Sequence, residues 1–346
     1  MRMGEATTPR ILAVGTALPE QRFTQAEILR WSGYTDPLRR GFFLNSGIKH
    51  RYLYLDRGTF SPDETVDQLN ARFAQGSLEL GRRAILGCLQ QRGLSPHDID
   101  FLVTTTCTGR LCPSLDTRFI RALGMRQDIQ RVHVGDTGCA SGVVALQQAF
   151  NYVKAHPKGR ALVVVAEICS ATYYLDDAPE TAVANAIFSD GAAAVLVAAE
   201  GEGVALLEKR TLLRPEHLEL MGFTYPGGRP RILLSKDIRK VAAEMLRELG
   251  ETMLAAHDLK RWDIRFWVLH SAGRRVLERA KEMLELSDDD LRFSRQVLHN
   301  FGNMSSATVL FVLEAVLRSQ EPRPGDWGLL AALGPGFAAE GFLLRW

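Results

Sequence analysis

Long apolar stretches are missing from this sequence. The longest, residues 161–166 and 192–199, fall well short of the roughly 18 to 20 residues that a membrane-spanning helix needs. Residues 1–10 carry charges and a proline but no apolar core of the kind that directs secretion. We therefore expect no membrane segment, no secretory signal and a cytoplasmic location.

An excess of one charge is also missing. Lys and Arg together number 42 against 40 for Asp and Glu, so the formal net charge is +2, with no long run of one sign. Proteins that bind nucleic acid through its phosphates usually carry a clearly basic surface. We expect no nucleic-acid partner, and we expect any acidic ligand to be bound by local groups.

Cysteine is scarce and irregularly spaced. The closest pair, Cys107 and Cys112, has no second pair and no nearby histidine, so it does not have the pattern of a zinc site. An odd number of cysteines favours reduced thiols over a disulfide framework. We expect no metal at these five cysteines: Cys88, Cys107, Cys112, Cys139 and Cys169.

The chain does contain a regular alternation of apolar strand-like runs and helical patterns, typical of α/β architecture. Predicted strands lie at 11–14, 101–106, 131–134, 161–167 and 193–198, and near 205–212, 266–270, 329–333 and 341–346. Predicted helices lie at 79–92, 115–123 and 140–155, and near 237–256, 272–284 and 304–319. A chain of 346 residues exceeds one ordinary core, so we expect two packed α/β halves, 1–200 and 201–346.

Two stretches rich in turn-forming residues, 51–64 and 214–231, are predicted to be loops. The second contains Tyr225-Pro226-Gly227-Gly228-Arg229-Pro230. Loops of this length in compact domains are often functional. The second loop is therefore a candidate lid or tunnel wall.

The most specific local feature is a glycine-rich turn around Cys139, with the sequence Gly135-Asp136-Thr137-Gly138-Cys139-Ala140-Ser141-Gly142. It lies between a predicted strand and a predicted helix, so the thiol would lie at a helix start. Unpaired N–H groups and the helix dipole favour a thiolate there, which is how a nucleophile is made reactive. A small buried residue in a tight turn would explain the pattern equally well.

Among the eight histidines, His270 stands at the end of the apolar strand Phe266-Trp267-Val268-Leu269-His270, where sites form in α/β sheets. His299 is a second candidate, but its position beside the following turn favours a flanking role. His133 lies within a strand and is consistent with a hydrogen-bonded core residue. The others lie in polar surroundings and are expected to be solvated: His50, His97, His156, His217 and His257.

A third feature is the turn around Asn303, with the sequence His299-Asn300-Phe301-Gly302-Asn303-Met304-Ser305-Ser306-Ala307. It precedes a strongly apolar helix. Asn and Ser at such a position can cap the helix by accepting backbone N–H bonds. Capping accounts for one polar residue but not for the whole phrase.

Four phrases in this order resemble the type III polyketide synthases, the chalcone synthase-like branch of the thiolase superfamily. They are Gly138-Cys139 with Gly142, Phe266-Trp267-Val268-Leu269-His270 with Gly273, Gly302-Asn303-Met304-Ser305-Ser306-Ala307, and Leu333-Gly334-Pro335-Gly336 with Glu340. Residues 164–168 and 185–194 add support, and the resemblance runs from about residue 9 to the C-terminus. It implies a thiolase-like α/β fold, with two similar halves packed as a layered αβαβα core.

The resemblance also implies a reaction. Cys139 would accept the acyl group of an acyl-CoA starter, with His270 as its imidazolium partner. Asn303 and His270 would bind the thioester oxygen of malonyl-CoA while CO₂ leaves, and the resulting enolate would extend the chain before it cyclises to a small aromatic or pyrone product. No metal or redox cofactor is implied. A homodimer is implied, with Cys112 reaching toward the partner subunit.

Further positions match residues that shape the family's cavity. Phe188 matches an aromatic gatekeeper, and a core aromatic is its alternative interpretation. The other matching positions are Cys107, Cys169, Thr172, Gly334, Pro335 and Gly336.

The sequence departs from the family pattern in several places. Leu333 stands where a phenylalanine is usual, and no aromatic aligns at the second gatekeeper position near Pro230 or Arg231. The N-terminal helix usual in the family is shortened. The basic residues that hold CoA phosphates are represented only loosely, by Arg39, Arg40 and Lys49, for which a solvated surface is the alternative.

Two other functions stay open at this point. A single-condensation enzyme of the ketoacyl synthase III kind would use the same three residues but would take its extender from an acyl carrier protein. A thiolase-fold acyltransferase, or a protein that only binds, would load Cys139 without condensing or would not use it at all. Cys139, His270 and Asn303 occurring together argue against the last of these, because binding alone needs none of their chemistry.

Overall fold

The computed structural model describes residues 7–56, 61 and 63–346. Its strands are β1 (Arg10–Ala17), β2 (Arg22–Thr24), β3 (His50–Tyr52), β4 (Phe101–Thr106), β5 (Gln130–Gly135), β6 (Ala161–Ile168), β7 (Asp190–Ala198), β8 (Val204–Leu213), β9 (Met221–Thr224), β10 (Arg231–Leu234), β11 (Ile264–Leu269), β12 (Trp327–Gly334) and β13 (Ala338–Arg345). Its α-helices are α1 (Gln25–Ser32), α2 (Pro37–Leu44), α3 (Val66–Gln90), α4 (Leu115–Leu123), α5 (Ser141–Ala155), α6 (Pro179–Ile187), α7 (Ile238–Ala255), α8 (Arg274–Met283), α9 (Arg292–Phe301) and α10 (Thr308–Arg318).

The nine long strands form one hydrogen-bonded sheet that consists of two groups. The first group has the order β5-β4-β6-β7-β1 and the second has the order β8-β13-β12-β11. They are joined where Arg10 pairs with Ala205 and Ile11 with Val204. In each group the edge strand is parallel to its neighbour: β5 pairs with β4, and β11 pairs with β12. Cys139 follows β5 in the chain, and His270 follows β11.

The central strands are apolar because both of their faces are covered. All residues of β6 and β7 are buried. In β6, Val163 and Val165 pack against the interior helices, whereas Leu162 and Val164 pack on the opposite face. A continuous apolar run is what a strand buried on both faces requires.

The helices complete five layers. α5 and α10 share one apolar cluster with both groups of strands, so they lie between the two groups. α3 and α4 cover the outer face of the first group. α7 and α8 cover the outer face of the second. This arrangement confirms the predicted layered αβαβα core.

Most predicted elements are confirmed. The helix at 115–123 has the predicted bounds, and the one predicted at 140–155 is α5. The helix predicted at 79–92 is longer, because α3 begins at Val66, after a capping box formed by Thr65 and Gln68. The division into halves at residue 200 stays a prediction.

Other expectations were wrong or incomplete. The segment 214–231 is not simply a loop: β9 and β10 form an antiparallel hairpin with Arg231 opposite Thr224. Helices α1, α2, α6 and α9 were not predicted. In the first predicted loop, β3 ends at Tyr52, and residues 57–60 and 62 lie outside the described part. No helix in the described ranges is long and apolar enough to cross a membrane.

Candidate active site

Cys139 lies in a single 3₁₀ turn, Gly138–Ala140, between the end of β5 and the start of α5. Gly138 has a φ of 53°, in the region that favours glycine, and a Cβ there would lie 2.1 Å from the Pro335 ring. Gly334 approaches equally closely, since its Cβ would lie 2.4 Å from the backbone oxygen of Thr137. The turn that carries the thiol is therefore packed directly against the turn after β12.

The Cys139 thiol is largely enclosed. Its Sγ lies 3.4 Å from the hydroxyl oxygen of Ser305. Burial raises the pKa of the thiol to about 11, because the charged form loses water. This direction is opposite to the one expected from the helix start, so the turn alone does not ionise the thiol.

His270 follows β11 and is held by its backbone, whose N–H donates to the oxygen of Ala331 at 2.9 Å. The side chain is 7% exposed, and neither ring nitrogen has a hydrogen-bond partner among the described residues. Burial lowers the pKa of His270 to about 4. The imidazole is therefore neutral near pH 7 and can accept a proton.

The Asn303 amide is oriented from three sides. Its Nδ2 donates to the oxygen of Ala272 at 3.1 Å, two residues beyond His270. Its Oδ1 accepts the N–H of Ser305 at 2.8 Å and the hydroxyl of Thr308 at 3.2 Å, and so holds the short turn that leads into α10. Because Ser305 also lies against Cys139, these contacts connect the Cys139 turn to the Asn303 turn and on to the loop after His270.

A cavity of about 40 Å³ lies beside the thiol. Of the positions expected to shape it, Cys107, Cys169, Phe188 and Pro335 line it together with Cys139. Thr172 lines a neighbouring cavity of about 20 Å³, which shares Cys169 and Phe188 with the first. His270 and Asn303 do not line either cavity, and they connect to it through the contacts described above.

The β9–β10 hairpin forms one wall of the cavity. The sequence predicted a wall in this segment but did not identify its lining residues. Its lining residues are Met221, Gly222, Phe223, Ile232 and Leu234. The two short apolar runs, 221–223 and 232–234, on either side of the Pro-Gly-Gly turn were the available signal. The region predicted to be a lid or tunnel wall therefore borders the thiol.

Two arginines of the hairpin hold it to the segment before α6. Arg231 forms a salt bridge with Asp176 at 2.6 Å. The guanidinium groups of Arg229 and Arg231 lie 5.5 Å and 5.9 Å from the centre of the Tyr174 ring. An ionic and cation–π contact thus occupies the place where the family pattern led us to look for an aromatic gatekeeper.

Glu167, at the end of β6, was missed as a site residue. The carboxylate is fully buried and accepts hydrogen bonds from the backbone N–H of Cys107 at 3.1 Å, from Thr108 at 2.8 Å and from Ser306. Burial raises the pKa of Glu167. A lone glutamate at the end of an otherwise apolar strand was the signal that could have identified it.

The residues expected to hold CoA phosphates do not line the described cavities. Arg39 is committed to Asp36 at 2.9 Å and to the backbone oxygen of Asp177. Arg40 and Lys49 are exposed. Their roles stay predictions.

A layered fold with a cysteine at the start of an interior helix is the architecture of the thiolase-like proteins. Two family profiles together match most of the chain: "FAE1/Type III polyketide synthase-like protein" over residues 53–219, and "Chalcone and stilbene synthases, C-terminal domain" over residues 224–346. The chain therefore belongs to the type III polyketide synthases, which are acyl-transferring condensing enzymes that use CoA thioesters.

Individual relatives agree. The chain is 36% identical to a 1,3,6,8-tetrahydroxynaphthalene synthase of Streptomyces peucetius subsp. caesius, over 97% of this chain and 93% of the relative. It is 34% identical to a 3,5-dihydroxyphenylacetyl-CoA synthase of Streptomyces toyocaensis, over 98% and 90%.

Solved structures agree as well. PKS-I from the brown alga Ectocarpus siliculosus superposes with a TM-score of 0.91, at 28% identity and 99% coverage of both chains. The 1,3,6,8-tetrahydroxynaphthalene synthase of Streptomyces coelicolor A3(2) superposes with a TM-score of 0.89, at 27% identity, over 97% of this chain and 99% of that one. The family expected from the sequence motifs is confirmed.

Proposed function

We propose that this chain loads an acyl group from a CoA thioester onto Cys139 and extends it with malonyl-CoA. The observation that carries this proposal is the packing of the Cys139 turn against the turns that contain Pro335 and Ser305. That packing fixes a thiol beside an enclosed apolar cavity. A thioester held there would meet one nucleophile in a fixed orientation.

The thiol needs a base at the moment of attack. Burial keeps both the Cys139 thiol and the His270 imidazole neutral at rest, with pKa values of about 11 and about 4. We propose that His270 takes the thiol proton as the sulfur attacks the thioester carbon, and returns it to the CoA sulfur when the carbon–sulfur bond to CoA breaks, so that CoA leaves as its thiol. The Cys139 thiolate and the His270 imidazolium stabilise each other in a buried site, where either charge alone would be unfavourable. The free ring nitrogens of His270 support this role.

Asn303 and His270 are proposed as the donors that stabilise the malonyl enolate. One N–H of the Asn303 amide donates to Ala272, which leaves the second N–H for a substrate oxygen. Loss of CO₂ from malonyl-CoA leaves an enolate, whose carbon attacks the acyl carbon of the Cys139 thioester. The carbon–sulfur bond to Cys139 then breaks, and the chain, lengthened by two carbons, stays on CoA while Cys139 leaves as a thiolate. A positioned donor at such an oxygen lowers the activation free energy by about 3 kcal/mol.

The product we propose is a small phenolic compound. The relatives named above are synthases of a tetrahydroxynaphthalene and of a dihydroxyphenylacetyl thioester. Phenols with oxygens on alternate carbons are the expected outcome when a chain of alternating ketones closes on itself. The 40 Å³ cavity holds little more than a water molecule, so we propose that the β9–β10 hairpin moves outward as the chain grows.

We further propose that two copies of the chain associate. β5 is an edge strand whose side chains are exposed or half-buried, and Cys112 near it is exposed. An edge strand of this kind is usually covered in a native assembly. The homodimer implied by the sequence resemblance would cover it, and light scattering of the purified protein would measure its mass.

Mass spectrometry of the products tests the proposed reaction. Purified protein would receive malonyl-CoA and a panel of acyl-CoA starters without carrier protein, beside the matched variant Cys139→Ala. Triketide or longer products that disappear in the variant are the expected result.

Two other results would contradict the proposal. Products that form only from malonyl-carrier protein would indicate an enzyme of the ketoacyl synthase III kind. An acylated Cys139 without any condensation product would indicate an acyltransferase.

A further inference from the structure

Arg51, in β3, is a buried cation whose donors are only partly used. The residue is 2% exposed. Its Nη1 donates to the backbone oxygen of Asn185 at 2.5 Å and to that of Phe188 at 2.9 Å. Its Nε and Nη2 have no hydrogen-bond partner among the described residues. Buried polar groups are normally hydrogen-bonded, so these two donors require an explanation.

The positive charge of Arg51 is not neutralised locally. Within the described ranges, Arg51 takes part in no salt bridge. Asp190 acts on the guanidinium group electrostatically, but its two oxygens accept from Ser170 and from the backbone N–H of Tyr54. Burial lowers the pKa of Arg51 to about 10, so the group still carries its proton near pH 7. An anionic or strongly polar ligand would therefore find a charged partner here.

Arg51 lines the cavity of about 20 Å³ that Thr172 also lines, here called the second cavity. Three residues line both this cavity and the one beside Cys139: Cys169, Phe188 and Ile232. Ile232 belongs to β10, so the outward movement of the β9–β10 hairpin proposed above would open the boundary between the two cavities. A chain that grows at Cys139 would then reach the guanidinium group.

We propose that Arg51 binds the distal oxygens of the growing poly-β-ketone chain, as an enolate, in the second cavity; this rests on the proposed function. Two ketones separated by a single CH₂ group lose a proton from that carbon readily, because the negative charge spreads over both oxygens. Nε and Nη2 form one edge of the guanidinium group, and their parallel N–H bonds match such a pair of oxygens. The proton passes to bulk water, and Arg51 stays protonated.

Holding the distal oxygens would affect the length of the product. In a free triketide, the distal enol oxygen attacks the thioester carbon, the carbon–sulfur bond breaks, and the thiol leaves with the enol proton. The chain then ends as a pyrone. With its distal oxygens held by Arg51, the chain cannot close in this way and can accept further malonyl units. Arg51 would therefore determine specificity for longer products, in addition to holding the backbone before β7.

Product distributions from malonyl-CoA and an acyl-CoA starter test this role. In Arg51→Met, which removes the charge, we expect the ratio of triketide pyrone to longer products to rise at least roughly tenfold. In Arg51→Lys, which keeps the charge, the ratio should stay within about threefold of the wild-type value. Thr172→Leu narrows the second cavity and leaves Arg51 in place. It should shift the ratio in the same direction as Arg51→Met, and it keeps the test open if Arg51→Met does not fold.

Arg72→Met is the matched control. The Arg72 side chain is 10% exposed and donates to the backbone oxygen of Ser170 at 2.8 Å, but it lines neither cavity. Its loss should lower stability without changing the product ratio.

Binding of acetylacetone separates this proposal from the proposed function. Acetylacetone is a small diketone of the required kind, and its enolate absorbs at longer wavelength than its neutral forms. With the wild type near pH 7, we expect added enolate absorbance that saturates with concentration and disappears on dilution. The affinity should be at least roughly tenfold weaker in Arg51→Met, and acetone, with a single ketone, should not compete. If the wild type made no polyketide, the proposed function would fail, while this spectrum would still test Arg51.

Four results would overturn the proposal. An unchanged product ratio in folded Arg51→Met would exclude a role in product length. An equal change in Arg72→Met would assign the effect to lost stability. A lower kcat with an unchanged ratio would show that Arg51 acts only through the backbone of Asn185 and Phe188. A wild type without the enolate absorbance would show that the second cavity does not bind a diketone.

Discussion

Gly334→Ala tests whether the turn after β12 positions Cys139. An added Cβ would lie 2.4 Å from the backbone oxygen of Thr137 and 2.9 Å from the side chain of Ala140, which directly follows the cysteine. An ordinary carbon–oxygen contact is about 3.4 Å, so one of the two turns must shift by about 1 Å. The neighbour is backbone, which cannot rotate away.

The expected effects differ for stability and activity. Overpacking of this kind costs about 1 to 3 kcal/mol of unfolding free energy. A displacement of about 1 Å at a reacting group costs about a hundredfold in rate. We therefore expect a modest loss of stability and a roughly hundredfold loss of kcat/KM.

Gly124→Ala is the matched control. Gly124 ends α4 with a φ of 58°, and its Cβ would meet nothing within 4 Å. Alanine in this left-handed conformation should lower the free energy of unfolding by about 1 kcal/mol without changing the site. Thermal unfolding and steady-state kinetics with malonyl-CoA would measure both effects. Near wild-type activity in Gly334→Ala, or an equal loss of activity in Gly124→Ala, would refute the reasoning.

Three further substitutions test other parts of the site. His270→Gln should leave the melting temperature within a few degrees, since its ring nitrogens have no partner to lose, but should lower kcat at least about a hundredfold in a product assay; unchanged kcat would exclude a proton-transfer role. Glu167→Gln should lower the unfolding free energy in urea by about 2 kcal/mol, because a buried acceptor of several hydrogen bonds becomes partly a donor, and an unchanged midpoint would contradict the described hydrogen bonds. Asp176→Asn should release Arg231 and make the hairpin more sensitive to limited proteolysis, at a cost of less than about 1 kcal/mol; unchanged cleavage would show that the salt bridge does not hold the hairpin.

Elements whose sequence pattern is local were predicted well. The helix at 115–123 has strong amphipathic spacing and ends at a glycine, and the structure gives the same bounds. The apolar runs of β6 and β7 identified strands buried on both faces. α1 and α2 were missed because each has only eight residues, although start signals are present, Thr24 with Glu27 in α1 and Asp36 with Pro37 in α2. Over so short a length a helical period does not stand out from a loop.

The site was predictable only where its residues stand in recognisable phrases. Cys139, His270 and Asn303 were identified as candidates in this way, and the contacts through Ser305 connect two of their turns. Glu167 was not identified, because its importance depends on which turns meet around the end of its strand. The direction of the pKa shift at the thiol was also not predictable, since burial is a property of the packed layers.

Trapping the loaded enzyme tests the central claim most directly. The protein would be mixed with an acyl-CoA starter, quenched in acid within seconds, digested and examined by mass spectrometry. The account predicts one acyl group, carried by Cys139 and absent in Cys139→Ala and from the other four cysteines. Product formation from malonyl-CoA with the acyl group on another residue, or with full activity in Cys139→Ala, would contradict it.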